Sequence, residues 1–172
     1  QSACINFHFV GMKIGRDLAV KSAALIATTL GIGFLVGQVT RAEIETWYVF
    51  LEKPFFNPPN WLFAPVWSVL YVLMAVAAAR VWSNTKTAVA VIRKALLFWW
   101  IQLALNTAWS FLFFGLKNPL LALVEIVLLE LLIYETYLQF RKIDVVSAKL
   151  LIPYMIWVAF AAILNASIWW LN

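Results

Sequence analysis

The sequence predicts an all-α membrane protein, a bundle of five transmembrane helices with a long first loop rich in aromatic residues and proline. Two observations lead to this fold class. Of the 172 residues, 65% are hydrophobic, whereas a soluble domain averages roughly 45–50%. Only 12% are charged, and these cluster between apolar runs of roughly 17–25 residues, the length that lets a helix cross a bilayer. The lipid bilayer is therefore the first predicted partner.

The chain is expected to form one domain, residues 12–172, preceded by a leader or tag remnant at residues 1–11. The leader lacks hydrophobic periodicity, and Met12 is a natural start. It contains Cys4 and His8, the only cysteine and the only histidine. A disulfide framework and a His/Cys metal site are therefore excluded, and no cofactor is expected. The five spans are predicted at about 18–39, 66–82, 95–114, 119–140 and 150–171.

The first span is too long for a signal-peptide core, so we interpret it as a transmembrane helix. It carries Gly33 and Gly37, a small-xxx-small pair that lets another helix approach closely. The pair fits packing within the chain, which we favour, or contact between two copies in a homodimer.

The first loop, residues 41–65, is too long to be a mere connector in so compact a protein. Its prolines fix the backbone and remove hydrogen-bond donors, which makes the loop stiff. It also contains the aromatic pair Trp47 and Tyr48. An aromatic belt at the membrane interface is one explanation for these rings. The order of prolines and aromatic residues favours the interpretation that this loop is a lid that covers a binding site.

Two helical faces carry aromatic side chains at i, i+3/i+4 spacing. Their members are Trp67, Tyr71, Met74 and Ala78 on the second span, and Tyr154, Trp157, Ala161 and Leu164 on the fifth. The small Ala161 between bulky neighbours leaves room for something flat. Core packing explains any single aromatic side chain, but two such stripes beneath an aromatic loop favour a pocket.

The third span carries a polar stripe made of Gln102, Asn106, Trp109 and Ser110. Amides within a bilayer must find partners, so this face is predicted to point into the bundle. Hydrogen bonding between helices and contact with a ligand both remain open for these residues.

The fourth span begins at Asn118-Pro119, which has the form of a helix N-cap followed by proline. Glu125 and Glu130 lie within it and are candidates for a functional role, because a carboxylate inside a bilayer usually faces a cavity or a partner. A structural hydrogen bond to a neighbouring helix is the simpler role for either one.

The charges also predict the topology. Ten of the 13 basic residues flank the N-terminal, second and fourth connections, and only Arg41, Lys53 and Lys117 lie opposite. The positive-inside rule then places the N-terminus in the cytoplasm, in a bacterial inner membrane. Bacterial and mitochondrial outer membranes are the alternatives. Because the basic residues sit in short loops rather than along one face, nucleic acid is not predicted as a partner.

Three runs resemble the tryptophan-rich sensory protein/translocator protein family, also known as peripheral benzodiazepine receptors. They are KPFFNPPNWLFAPVWSVLYVLM, QLALNTAWSFLFF and PYMIWVAFAAILNASIWWLN. The resemblance implies a five-helix bundle that binds porphyrins, sterols and benzodiazepine-type ligands in a pocket roofed by the first loop. The implied site residues are Trp67, Asn106, Trp109, Ser110, Trp157, Ala161 and Leu164, with Trp47 and Tyr48 in the lid; our stripes add Tyr71 and Tyr154.

One departure concerns sterols. Animal members carry a cholesterol-recognition pattern at the end of the last helix, with a basic residue after its tyrosine, and here no Lys or Arg follows Lys149. The sequence therefore predicts a bacterial-type member. The function that the resemblance implies is that of a porphyrin-binding receptor or transporter, with two alternatives. One is an enzyme that degrades porphyrin under light, with Trp67 and Trp157 as its reactive residues. The other is a structural or partner-regulating membrane protein.

Overall fold

A computed structural model describes residues 2–172, with side chains from residue 15 onward. Within that range the secondary structure is helical, without a strand. The helices are α1 (Ser2–Thr46), α2 (Phe63–Trp82), α3 (Val89–Ser110), α4 (Pro119–Arg141), α5 (Val145–Leu150) and α6 (Ile152–Leu171). A π-helical segment, Phe111–Gly115, continues α3. The prediction of an all-α fold is confirmed.

Four helical stretches are long and apolar enough to cross a bilayer. They are Gly15–Thr46, Asn60–Trp82, Val89–Gly115 and Val145–Leu171. The predicted fourth span, now α4, is 23 residues long and lies outside this set, since it carries three glutamates. It nevertheless packs against α3 and α6. The protein is therefore an integral, multi-pass membrane protein in which α4 completes a bundle of five long helices.

Several helix boundaries differ from those predicted, and α3 for example begins at Val89 rather than at residue 95. α1 continues to Thr46, so the first loop begins at Trp47 rather than at Arg41. Residues 41–46 include three charged side chains but also good helix formers. Hydropathy detects where a helix leaves the membrane rather than where it ends. The predicted fourth connection contains a short helix, α5. The predicted fifth span, 150–171, corresponds to α6, which begins at Ile152 with Pro153 in its first turn.

The N-terminal boundary differs as well. α1 begins at Ser2, so residues 2–11 are helical and continuous with the first span. Their interpretation as a leader stays a prediction. The side chains of Cys4 and His8 lie outside the described ones.

The bundle is built from neighbouring pairs. α1 packs on α2, α3 on α4, and α4 on α6, while the short α5 contacts both α2 and α4. The N-cap of α4 forms as predicted, with the Asn118 side chain accepting a hydrogen bond from the Leu121 N–H. A run of alanines on α2, residues 77–79, is fully buried, and such small residues let helices approach closely in membranes.

Polar contacts mark the two ends of the bundle. At one end, Arg80 Nε lies 2.7 Å from Asp144 Oδ2, which ties α2 to the start of α5. At the other end, Lys117 Nζ lies 3.0 Å from Glu43 Oε2, and the first loop meets Asn172. The aromatic loop and the basic connections therefore occupy opposite ends.

Candidate functional site

The aromatic stripes of α2 and α6 face each other. The Trp67 ring lies 5.6 Å from that of Tyr71 on its own helix and 6.2 Å from that of Tyr154 on α6, edge to face. Tyr71 and Tyr154 are buried, whereas Trp67 and Trp157 remain partly exposed. The structure thus brings the predicted α2 and α6 residues to one place, with the tyrosines deeper than the tryptophans.

A chain of hydrogen bonds joins these tyrosines to the polar stripe of α3. Tyr71 Oη donates to Asn106 Oδ1 at 3.0 Å, and Asn106 Nδ2 donates to Tyr154 Oη at 3.1 Å. Tyr154 Oη in turn donates to Gln102 Oε1 at 2.9 Å. Because every link is buried, water does not compete for it. Asn106 therefore connects α2 with α6 and forms a polar floor beneath the aromatic rings.

α1 sets the position of Tyr71 from behind. Thr29 Oγ1 donates to the Tyr71 carbonyl oxygen at 3.1 Å. A Cβ atom at Gly33 would lie 2.5 Å from Tyr71 Cε2, closer than nonbonded carbon atoms come. Gly33 is thus required for the close approach of the Tyr71 ring, a packing role within the chain that the sequence analysis favoured for this glycine.

Trp109 is held by hydrogen bonds between helices. Its Nε1 donates to Asn165 Oδ1 on α6 at 3.1 Å, and Asn165 Nδ2 donates to the carbonyl oxygen of Pro119 at 2.7 Å. Its ring stacks on Phe113 at 5.1 Å. Trp109 therefore links α3, α4 and α6. Ser110, the next residue, is buried beside it.

The first loop covers the same end of the bundle. Tyr48 is buried, and its Oη donates to Asn57 Oδ1 at 2.8 Å. Burial raises the pKa of the Tyr48 hydroxyl to about 12, although the bond with Asn57 acts to lower it. This phenol accordingly keeps its proton, and its donated hydrogen bond, at any physiological pH. Trp47 packs edge-on against Phe113 at 5.6 Å, so both predicted lid residues rest on the end of α3.

Phenylalanines complete the roof. Phe63 packs on Trp157 at 5.9 Å, Trp157 on Phe160 at 5.6 Å, and Phe160 on Phe56 of the loop at 6.3 Å. The sequence analysis missed these side chains. The phenylalanines are visible in the apolar runs of the sequence. However, a phenylalanine in such a run can equally line a pocket or face lipid, so the sequence does not assign it to the site.

The remaining predicted residues of α6 belong to two different hydrophobic clusters. Ala161 is half-buried and packs against the main core together with Trp157. Leu164 is buried in the cluster that also holds Tyr48 and Phe113. Trp157 Nε1 is buried and has no hydrogen-bond partner among the described residues. An unpaired buried donor is costly, because it has lost its water without a replacement.

Glu125 and Glu130 of α4 also have buried oxygens without a hydrogen-bond partner among the described residues. Neither carboxyl oxygen of Glu125, nor Oε2 of Glu130, has a hydrogen-bond partner within the part of the chain that the structure describes. The simpler role predicted for them, a hydrogen bond to a neighbouring helix, is therefore not formed by these oxygens.

The sequence is similar to known proteins over most of its length. The sequence model of the TspO/MBR family matches residues 24–171. The chain is 42% identical over 153 residues to the tryptophan-rich protein TspO of Archaeoglobus fulgidus, covering 89% of this chain and 97% of that protein. It is 38% identical over 141 residues to the translocator protein of Bos taurus, with 80% and 81% covered. The human translocator protein is 35% identical over 146 residues, with 84% and 85% covered.

Proposed function

The chain belongs to the TspO/MBR family, and we propose that it is a membrane receptor or transporter whose ligands are porphyrins and related hydrophobic molecules. Sterols and benzodiazepine-type compounds are the further ligand classes. The proposed site lies between α2 and α6, beneath the first loop. The bovine and human relatives are themselves named translocator proteins, which agrees with this role.

The observation that carries the proposal is the unpaired indole of Trp157. Its Nε1 is buried without a partner, and its ring is framed by Phe63 and Phe160. A ligand with a hydrogen-bond acceptor would satisfy that donor. The surrounding rings supply the offset and edge-to-face contacts that a flat aromatic molecule prefers.

The site residues follow from this placement. Trp67, Tyr71, Tyr154, Trp157 and Ala161 form the walls of the proposed site. Asn106, Trp109, Ser110 and Leu164 lie deeper or support it, and Trp47 and Tyr48 belong to the roof. Such a mostly apolar site with few polar groups is the usual form of a small-molecule pocket. We place the protein in a bacterial inner membrane, and a homodimer remains a hypothesis.

A steric test uses Ala161. Ala161→Phe adds a ring beside Trp157 and should lower porphyrin affinity at least tenfold, about 1.4 kcal/mol, while leaving the fold intact. The matched control is Ala159→Phe, since Ala159 lies on the same helix but is exposed. The measurement is quenching of tryptophan fluorescence by porphyrin in detergent. Equal affinities in both variants, at normal thermal stability, would place this face of α6 outside the binding site.

A second candidate is light-dependent degradation of porphyrin, favoured by the two partly exposed tryptophans that face one site. Trp67→Phe and Trp157→Phe keep most of the apolar surface but remove the more easily oxidised indole. A pure binding site predicts affinity within about tenfold of wild type. An enzyme predicts that porphyrin still binds while its bleaching under illumination stops. Bleaching at the rate of free porphyrin, in wild type and both variants, excludes the enzyme.

A structural or partner-regulating role is the third outcome. It is the reading that remains if wild-type protein binds none of the porphyrins, sterols and benzodiazepine-type compounds tested in titrations.

A further inference from the structure

The side chain of Asn172 holds the first loop against the end of α6. Its Oδ1 accepts a hydrogen bond from the Glu52 N–H at 3.0 Å. Its Nδ2 donates to the Glu52 carbonyl oxygen at 3.1 Å and to the carbonyl oxygen of Ile168, in its own helix, at 2.8 Å. One amide side chain thus pairs with both backbone groups of a loop residue, as a neighbouring strand would, and stays anchored to α6.

The other polar contacts of the loop are internal. Tyr48 Oη reaches Asn57, and Lys53 Nζ donates to the carbonyl oxygens of Val49 at 3.2 Å and Leu51 at 2.7 Å. Lys53 Nζ also lies over the Tyr48 ring, 4.9 Å from its centre. These contacts fix the shape of the loop without attaching it to the bundle.

The attachments of the loop differ in kind along its length. At its start, Tyr48 is wedged against Phe113 and Phe114. Farther along, Phe56 contacts Phe160. Among the described residues, hydrogen bonds between residues 49–62 and another helix are made through Asn172. Because the loop is stiffened by proline and by its own contacts, releasing this polar attachment should leave only the aromatic contacts to hold it and let it open more often as a unit.

We propose that Asn172 is a latch, a positioning residue that governs how often the aromatic loop opens and therefore how fast ligand enters and leaves. The control of ligand entry and exit rests on the proposed function, because it requires that the loop is the roof of the binding site. The latch itself is a property of the ligand-free protein. Glu52 and Asn172 are both exposed, so water can replace their hydrogen bonds when the loop lifts.

The first experiment tests the latch without any ligand. Hydrogen–deuterium exchange is measured in detergent on wild type, Asn172→Ala and the control Ser167→Ala. The Ser167 hydroxyl bonds to Ile163 in its own helix, so its loss should leave the loop unchanged. The informative amides are those of Leu51 and Asn57, whose bonds lie within the loop.

Asn172→Ala should speed exchange at these amides about tenfold, because both hydrogen bonds to Glu52 are lost; tenfold corresponds to about 1.4 kcal/mol. Exchange within α2 and α6 should stay at wild-type rates. Unchanged exchange at Leu51 and Asn57 in Asn172→Ala overturns the latch. So does equal acceleration throughout α6, because it would mean that the helix end has unfolded.

The second experiment tests the consequence, with protoporphyrin IX as the probe. Stopped-flow fluorescence should show association and dissociation rates rising together in Asn172→Ala, with the dissociation constant within about threefold of wild type. A residue that contacts the ligand would instead raise only the dissociation rate, and that result overturns the positioning role. If wild type binds no porphyrin, the proposed function fails, while the exchange measurement still decides the latch.

Discussion

Gly33 shows how one residue fixes the geometry of the site. The Tyr71 ring occupies the space that any larger side chain at position 33 would need, and Tyr71 begins the buried hydrogen-bond chain to Asn106. A change on α1 would therefore be transmitted to the floor of the proposed site. Gly31 and Gly37 lie on the same helix with nothing within 4 Å of an added Cβ, so they provide matched comparisons.

Gly33→Ala should destabilise the protein and displace the Tyr71 ring. Overpacking a filled interior costs about 1–3 kcal/mol. Replacing glycine by alanine in a helix gains at most about 1 kcal/mol in helix propensity, so the overpacking cost should prevail. Gly31→Ala and Gly37→Ala should leave stability unchanged or raise it slightly. Thermal unfolding in detergent checks the ranking. A Gly33→Ala protein as stable as Gly37→Ala would contradict the close packing.

The sequence could not separate these glycines. It showed a small-xxx-small pair and allowed contact within the chain or between copies. Which glycine meets a neighbouring ring depends on how α1 is rotated against α2, and that rotation is set by the whole interface. The same limit applies to Trp109, whose position on the inward face was predicted but whose bond to Asn165 was not.

At the scale of elements, Asn106 joins three helices through the two tyrosines. Asn106→Leu leaves the Tyr71 hydroxyl without its acceptor and Tyr154 without its donor. Hydrogen bonds between transmembrane helices average about 0.6 kcal/mol and reach about 1.7, so the loss of two should cost roughly 1–3 kcal/mol. Tyr71→Phe removes one link and should cost less. A calorimetric series that ranks Tyr71→Phe as the more harmful change would refute Asn106 as the central link.

The junction between α4 and α5 gives a prediction on pH. Burial alone would raise the pKa of Asp144, but hydrogen bonds from Arg80 and Ser147, together with the charge of Arg80, lower it from 3.8 to about 2. Since the folded state binds this proton less tightly than the unfolded state, the ionised carboxylate stabilises the fold above about pH 4. That stabilisation is lost as pH falls from about 4 toward 2.

Melting temperatures at several pH values test this linkage. Asp144→Asn should lower the melting temperature at neutral pH. On acidification from pH 4 to 2, the melting temperature of this variant should fall less than that of wild type. Arg80→Gln should reduce the same acid-dependent loss. Parallel acid profiles in wild type and Asp144→Asn would show that the ion pair contributes nothing.

At the scale of the whole molecule, the all-α fold and the inward-facing stripes followed from hydropathy and helical period, because both are local properties of the chain. The short helix α5 in the fourth connection and the extension of α1 to Thr46 did not. Both depend on where helices end, and a hydropathy pattern does not record that. The roof of the proposed site also required the structure, since Phe56 and Phe160 lie far apart in sequence and meet only after the loop folds back.

The contacts at the two ends of the helix bundle bear on its orientation in the membrane. Lys21 Nζ lies 5.1 Å from the centre of the Trp82 ring, so the early part of α1, the end of α2 and the Arg80–Asp144 pair share one end. The first loop and the Glu43–Lys117 pair share the other. The connections that carry most of the basic residues therefore lie at the end opposite the aromatic loop. By the positive-inside rule we propose that this loop lies outside the cytoplasm.

Cysteine labelling in intact cells tests the orientation. In a Cys4→Ser background, Lys53→Cys should react with a membrane-impermeant maleimide if the first loop lies outside the cytoplasm, as proposed. Lys86→Cys, in the turn between α2 and α3, should react only after the cells are permeabilised. Both variants should label fully in detergent, which controls for reactivity. Labelling of Lys86→Cys but not Lys53→Cys in intact cells would show that the orientation is the reverse of the proposed one. The first loop and the site beneath it would then face the cytoplasm.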